Sequence, residues 1–209
     1  MELVNLIQER RSANNFIEGI EIPRFEFDEI FRLVTLTPSC YNLQHANYLV
    51  IDDAEKKEQL MEVAFKQYKI HTASAAVLVL GSKEANKDAN KIYEGMLSLG
   101  ILNQTEYNGI LQIINSLYEG REEEFKVQEA IRNASLSAMM FMLIAKDRGW
   151  DTCPMIGFEP EAVKKLFNVP DKFEPVLLIT IGKEDKTNRR LRGYRKPIQE
   201  FVNYNGFNK

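Results

Sequence analysis

Two adjacent arginines and a serine, Arg10, Arg11 and Ser12 in ERRSANNF (residues 9–16), are the first chemistry-bearing groups of the chain. A guanidinium is a planar fork that can hold two phosphate oxygens at once, and a neighbouring hydroxyl can add a contact. The pattern therefore suits a phosphate, although taken alone it equally suits a solvated helix end. Asn14 follows, uncharged but able to hydrogen-bond. Four more polar clusters carry the same double reading. In TPSCYNLQHANYLV, Pro38 stops a helix, and Ser39, Cys40, Asn42 and Gln44 offer small donors and acceptors, as in a ligand loop or a capped turn. Gln67 and Lys69 lead into a buried strand. DTCPMIGFEPEAV reads as a Pro/Gly turn through Pro154, Ile156 and Gly157, whose glycine could serve only to supply a positive φ. NRRLRGYRKPIQEFV gathers five cations, Arg189, Arg190, Arg192, Arg195 and Lys196, within eight residues. Such a run is a solvated face more often than an RNA or phosphate contact.

Bulk composition limits what can position these groups. With 209 residues, 44% hydrophobic and 27% charged, the chain can form one domain with a substantial core. A net charge of −3 argues against nucleic acid or an anionic membrane as partner. No basic-then-apolar run follows the opening Met-Glu, so no signal peptide is expected. The longest uncharged apolar-rich run, residues 133–145, falls short of the roughly 20 residues that a membrane span needs. Cys40 and Cys153 fit neither a metal motif nor a disulfide framework, and a reducing cytoplasm is the expected location.

The patterning gives the elements. PRFEFDEIFRLVTLTPS sets Phe25, Ile30, Phe31, Leu33 and Val34 roughly on one side of a helix. NYLVIDD, SAAVLVLGS and EPVLLITIGK read as strands, and AEKKEQLMEVAFKQ as a helix with Leu60, Met61, Val63 and Ala64 set against charge. Residues 84–128 are helical by composition, two helices with a break near Leu99–Gly100, and form a helical insertion or pocket-lining region. REEEFKVQEAIRNASLSAMMFMLIAKDRGW begins acidic and ends basic, as the helix dipole favours, with Gly149 placed for a left-handed cap. No residue between Asn133 and Ala145 is charged, so this helix is expected to be surrounded by protein. Helices outnumber strands and alternate with them irregularly, which favours an α+β sandwich with a small central sheet. Neither GxGxxG nor GxxxxGK[ST] occurs.

In order along the chain, these segments resemble the FMN-dependent nitroreductase family of NAD(P)H oxidoreductases. Arg10-Arg11-Ser12 with Phe16 is similar to the family's RRSxRxF signature, and PSCYNLQHANYLVI to its PSxxNLQ segment and strand. NASLSAMMFMLIAKDRGWDTCPMIGF is similar to its central helix and following turn, and GYRKPIQEFV to its C-terminal arginine motif. The resemblance spans nearly the whole chain, least clearly residues 84–125. It implies a single domain over 1–209: a three-layer sandwich with a small, mostly antiparallel central sheet flanked by helices. It also implies an intertwined homodimer with FMN at the interface.

Carried over residue by residue, Arg10 and Arg195 hold the phosphate, with Arg192 assisting. Ser12 and the Arg11 main chain lie along the ribityl chain and phosphate. Ser39, Cys40 and Asn42 reach the same flavin from the partner subunit, with Gln44 in the same loop. Gln67 and Lys69 face the pyrimidine edge, and the Pro154–Gly157 turn sets main-chain groups of Ile156 and Gly157 near flavin N5. The implied reaction is ping-pong: NADH or NADPH gives a hydride to the flavin and leaves, and a nitroaromatic or quinone-like acceptor then takes the electrons. The second basic position of RRSxRxF is Asn14 here, and Lys69 is the favoured source of the missing charge. Cys40 stands where small residues are common, and flavin chemistry needs no thiol. Cys153 is expected to pack, His45 to cap or contact the partner, His71 to be structural, and PIQEFVNYNGFNK to embrace the partner. Rival readings are a non-catalytic FMN-binding protein for storage or sensing, which Asn14 favours, and an RNA-binding protein using residues 189–196, which the net charge opposes. No ribose-reading motif separates NADH from NADPH.

Overall fold

The computed structural model describes residues 2–187, 189 and 191–207. Among these residues four strands form one antiparallel sheet: β1 (Ala46–Ile51), β2 (Ala75–Ser82), β3 (Asp151–Met155) and β4 (Phe173–Gly182), in the order β1-β2-β4-β3. The helices are α1 (Leu3–Glu9), α2 (Arg24–Val34), α3 (Ala54–Val63), α4 (Tyr68–Thr72), α5 (Ala89–Ser98), α6 (Gln104–Tyr118), α7 (Glu123–Asp147) and α8 (Pro160–Phe167). Alternation along the central strands sends side chains to two cores. On one face Val77, Val79, Ile179 and Ile181 meet Phe27, Ile30 and Val34 of α2 and Ala134, Ala138 and Phe141 of α7. On the other, Leu78, Leu80 and Leu178 meet Leu60 of α3, Ile70 of α4 and Val163 of α8. The three layers expected from the sequence are therefore present, with strands β1, β2 and β4 where the apolar runs placed them.

Three local expectations are corrected. Phe25 is turned outward, 62% exposed, and Phe27 takes its place in the core. At 3.6 residues per turn, positions two apart lie on opposite sides of a helix, and the buried set is 27, 30 and 34. Second, Pro154 and Met155 belong to a strand rather than to a turn. The Thr152 carbonyl accepts from Ala13 N–H at 3.0 Å, so Thr152 and, two residues on, Pro154 face away from β4. A proline at that outward position removes no ladder bond, which is how an edge strand tolerates it. Third, α7 is not enclosed by its own chain. Its Ala130, Ala134, Ala138, Phe141 and Ala145 are buried, yet Leu136 and Met139, 50% and 41% exposed, form a bare apolar face.

The cap of α7 is as the sequence indicates, with Gly149 at φ +81°. Where α7 crosses β2 the backbones nearly touch: a Cβ on Gly81 would lie 2.6 Å from the Ala130 carbonyl oxygen. Helices α5 and α6 break at Gly100 (φ +70°) and pack about a small cluster that includes Ala89, Ile114, Tyr118 and Leu43. Asn103 and Glu106 form a reciprocal capping box at the start of α6. His45 does not cap a helix or reach outward. It is fully buried, and its Nε2 shares a hydrogen bond with Tyr118 Oη at 2.9 Å, tying α6 to the start of β1. No helix of the described residues is long and apolar enough to cross a membrane.

Candidate functional site

The N-terminal segment reaches the sheet through Ser12, which bridges Thr152 in parallel and so lays the chain along the free edge of β3. Arg10 closes α1 just before this bridge. After β4 the C-terminal segment returns to the same place. Arg192 donates to the carbonyls of Gln8 and Arg10, the latter at 3.2 Å, and Arg195 donates to those of Gly193 (3.2 Å) and Tyr194 (2.9 Å). Burial first, and then the charges of Arg192 and Arg195, hold the Arg10 pKa below its ordinary value, with Cys153 opposing them. Among the described residues none of these three guanidiniums pairs with a carboxylate. Like charges gathered without a counter-ion disfavour the protein as it stands and favour an arriving anion.

Beside this cluster, Lys69 on α4 places Nζ 3.5 Å from the buried Cys153 Sγ. Gln67, preceding α4, donates from Nε2 to the Gly157 carbonyl at 2.7 Å. The Ile156 carbonyl accepts from Phe158 N–H at 3.0 Å, so both carbonyls of this bend are used internally. Gly157 does not have a positive φ, contrary to the simplest sequence reading. It leaves room for the Gln67 amide: a Cβ there would lie 2.8 Å from Gln67 Nε2 and displace it. Phe65 and Lys66, just before Gln67, both adopt φ +52°, a left-handed conformation unfavourable for side-chain-bearing residues and typical of functional turns. Asn14 lies on the Ser12 segment, partly buried, and adds no charge. Arg11 points to the other side, lining a cleft of about 300 Å³ with Lys146, Lys186, Arg189 and Arg192. Arg190, the remaining member of the basic run, lies outside the described residues.

The structure thus brings Arg10, Ser12, Gln67, Lys69, Pro154, Ile156, Gly157, Arg192 and Arg195 to one sheet edge. It leaves Ser39, Cys40, Asn42 and Gln44 at the opposite one. These form a tight turn before β1, with Tyr41, Asn42 and Gln44 at φ +48°, +50° and +52°. The turn borders a cavity of about 380 Å³ lined by Phe31, Tyr48, Asn133 and Ser137 among others. The registers fix the separation. Ala46, just after the turn, faces Gly81 at one end of β2, whereas Thr152 faces Ile181, which faces Ala75 at the other end. Three strand spacings across is about 14 Å, and six residues along is about 20 Å. The two clusters occupy diagonal corners of the sheet.

Cys40 sits among phenols rather than cations. Tyr118 is pushed up to about 12 by burial and then by Cys40, and Tyr93 is raised by burial, Tyr41 and Cys40. Cys153 packs as expected but also contacts Lys69, and His71 lies at the surface, hydrogen-bonded to Glu58. Sequence reasoning did not single out Thr152 or the Phe65–Lys66 turn, and no local signal marks them. It also passed over Asn133, the buried amide that holds Cys40 N–H; a lone amide opening a charge-free helical run was the available signal.

The three-layer α+β fold, with three arginines gathered at one sheet edge, is the architecture of a known family of oxidoreductases. Residues 7–183 match the model of the nitroreductase family, and the chain belongs to that family. It is 56% identical over 203 residues to MhqN of Bacillus subtilis (strain 168), classed with the NAD(P)H nitroreductases, with 97% of this chain and 98% of MhqN covered. YodC of the same organism, classed likewise, is 35% identical over 183 residues, 88% of this chain and 90% of YodC. The crystal structure of B. subtilis ydfN superposes with a TM-score of 0.95 at 55% identity, covering 97% of this chain and 98% of that one. A nitroreductase-like protein of Exiguobacterium sibiricum, solved in complex with FMN, superposes with a TM-score of 0.90 at 28% identity, covering 98% and 97%.

Proposed function

We propose that this protein is an FMN-dependent NAD(P)H oxidoreductase that delivers two electrons to a flat nitroaromatic or quinone-like acceptor, and that it works as a homodimer with each site built from both chains. The observation that carries the reading is the Arg10–Arg192–Arg195 cluster, three guanidiniums without a carboxylate and with Arg10 pulled below its ordinary pKa. That charge pattern fits the dianionic phosphate of FMN, the ligand of the Exiguobacterium relative.

When bound, FMN supplies a hydride acceptor and donor at N5, chemistry that no side chain here could provide. The chain's own residues bind and orient. Arg10 and Arg195 hold the phosphate with Arg192, and Ser12 and the Arg11 main chain lie beside it. Gln67, fixed by the Gly157 carbonyl, presents its amide to the pyrimidine edge. Lys69 supplies the positive charge that Asn14 lacks and so favours the electron-rich form of the cofactor. With their carbonyls engaged, Ile156 and Gly157 offer N–H groups to the ring.

Support for the homodimer comes from what one chain leaves undone. The 39–44 turn lies diagonally across the sheet from the arginines of its own chain, a placement that a site shared between two copies accounts for. The bare Leu136–Met139 face and the C-terminal arm, where Ile198, Phe201, Tyr204 and Phe207 are 63%, 61%, 83% and 88% exposed, need covering.

The test is spectroscopic. Purified protein should be yellow or become so with FMN, and anaerobic NADH or NADPH should bleach it, with parallel lines in double-reciprocal plots against an acceptor. Flavin that stays oxidised would instead mark a storage or sensing protein, and failure to bind FMN would remove the reading altogether.

A further inference from the structure

Asn133 is buried on α7, and its side chain is fully committed. Oδ1 accepts from Cys40 N–H at 2.8 Å, while Nδ2 donates to the Glu129 carbonyl at 2.8 Å and to Glu129 Oε2 at 3.3 Å. Glu129 is itself buried, and its other carboxylate oxygen is hydrogen-bonded to Arg132. The amide is therefore held in one orientation. Flipped over, its NH₂ would face the Cys40 N–H and its oxygen would face two acceptors.

The turn that Asn133 holds needs holding. Tyr41, Asn42 and Gln44 all have positive φ, which residues with side chains rarely adopt unless their surroundings impose it. Beside the main-chain bonds from Asn42 N–H to the Ser39 carbonyl and from Leu43 N–H to the Cys40 carbonyl, both 3.0 Å, two other side-chain bonds help: Gln44 N–H donates to Ser39 Oγ at 2.9 Å, and Tyr93 Oη donates to the Tyr41 carbonyl at 2.9 Å. The first lies within the turn, and the second comes from α5. Among the hydrogen bonds of the described residues, the one from Cys40 N–H to Asn133 ties the turn to α7, which packs on the sheet.

We propose that Asn133, backed by Glu129, is a positioning residue: it fixes the 39–44 turn in the shape with which one protomer completes the flavin site of its partner. This rests on the shared-site reading above. It adds a residue that touches no cofactor yet governs how well the lent half of the site fits.

The experiment titrates FMN fluorescence against intact protein. Asn133→Leu keeps the volume and removes the acceptor, stranding the Cys40 N–H, and should weaken FMN binding about tenfold. Asn133→Ser, which adds no bulk but is too short to span the bond, should weaken binding by a similar factor. Chains carrying Asn133→Leu are then co-expressed with chains carrying Arg195→Ala, and the mixed dimer is isolated by distinct tags. One arginine cluster in that dimer meets an intact turn, so one FMN per two chains should bind with wild-type affinity. Wild-type affinity in the leucine variant overturns the positioning role, as does wild-type affinity in the serine variant, which would assign the leucine loss to packing. A weak leucine variant with no site recovered in the mixed dimer shows that the turn does not serve the partner, and removes the shared-site reading together with this inference. Should Asn133→Leu fail to fold, Asn133→Ser, too short to span the bond, replaces it in every arm.

Discussion

At Arg10 two unfavourable effects coincide, partial removal from water and the nearness of Arg192 and Arg195, and both act in the direction of its lowered pKa. The same arrangement that disfavours the empty cluster rewards an anion, which makes the arginines separable from ordinary stabilising residues. Arg195→Ala should raise the FMN dissociation constant about 10- to 100-fold, the loss of a charge-assisted contact. Without flavin its melting temperature should stay level or rise slightly, because repulsion is relieved. Fluorescence titration and melts with and without FMN read both effects; a large fall in the flavin-free melt would mark Arg195 as structural instead. Lys69 makes a different contribution. Its ammonium lies against the Cys153 sulfur of β3, and in the proposed site a cation there would favour the reduced flavin. Lys69→Met should lower the midpoint potential measured by dye equilibration, and an unchanged potential would leave the Asn14 substitution uncompensated.

Between elements, the His45–Tyr118 bond joins α6 to the sheet, and its histidine reports on pH. Burial pushes His45 down from 6.5 to about 4, so the imidazole stays neutral in the folded protein while the unfolded chain takes up a proton near its ordinary value. The unfolded state therefore binds more protons between those two values, and the histidine's contribution to stability is complete above pH 6.5 and is lost as the pH falls towards 4. The full loss amounts to about 3 kcal/mol. His45→Gln, which does not titrate, should be less stable than wild type at pH 7.5 in urea unfolding, and the difference should shrink or reverse by pH 4.5. A constant difference across that range would show that His45 is not held neutral.

For the molecule as a whole, α1, the outer face of α7 and the C-terminal arm each leave several large apolar side chains open on a single chain. In the proposed homodimer a second copy would cover these faces and bring the 39–44 turn to the arginines. Deleting residues 197–209 keeps Arg195 but removes the aromatic arm. The truncated chain should retain its far-ultraviolet circular dichroism, move towards the monomer in light scattering, and lose tight FMN binding. A truncated chain that remains dimeric with full affinity would show that α7 alone makes the interface.

Much of this was legible before any coordinates. The apolar runs of β1, β2 and β4, the amphipathic and dipole-matched helices, the Gly100 break and the Gly149 cap are all encoded within a few residues of where they act, because strand alternation, helix period and capping are local properties. Packing decided the rest. Pro154 could be read as strand only once Thr152 was seen to face outward on the sheet edge, and Phe27 displaced Phe25 because α2 settled with one particular side inward. The Asn133–Cys40 bond spans 93 residues, and Arg192 reaches the Arg10 carbonyl across 182. Partners so remote in sequence leave no periodic trace in it, since what joins them is the closing of three layers around a common core.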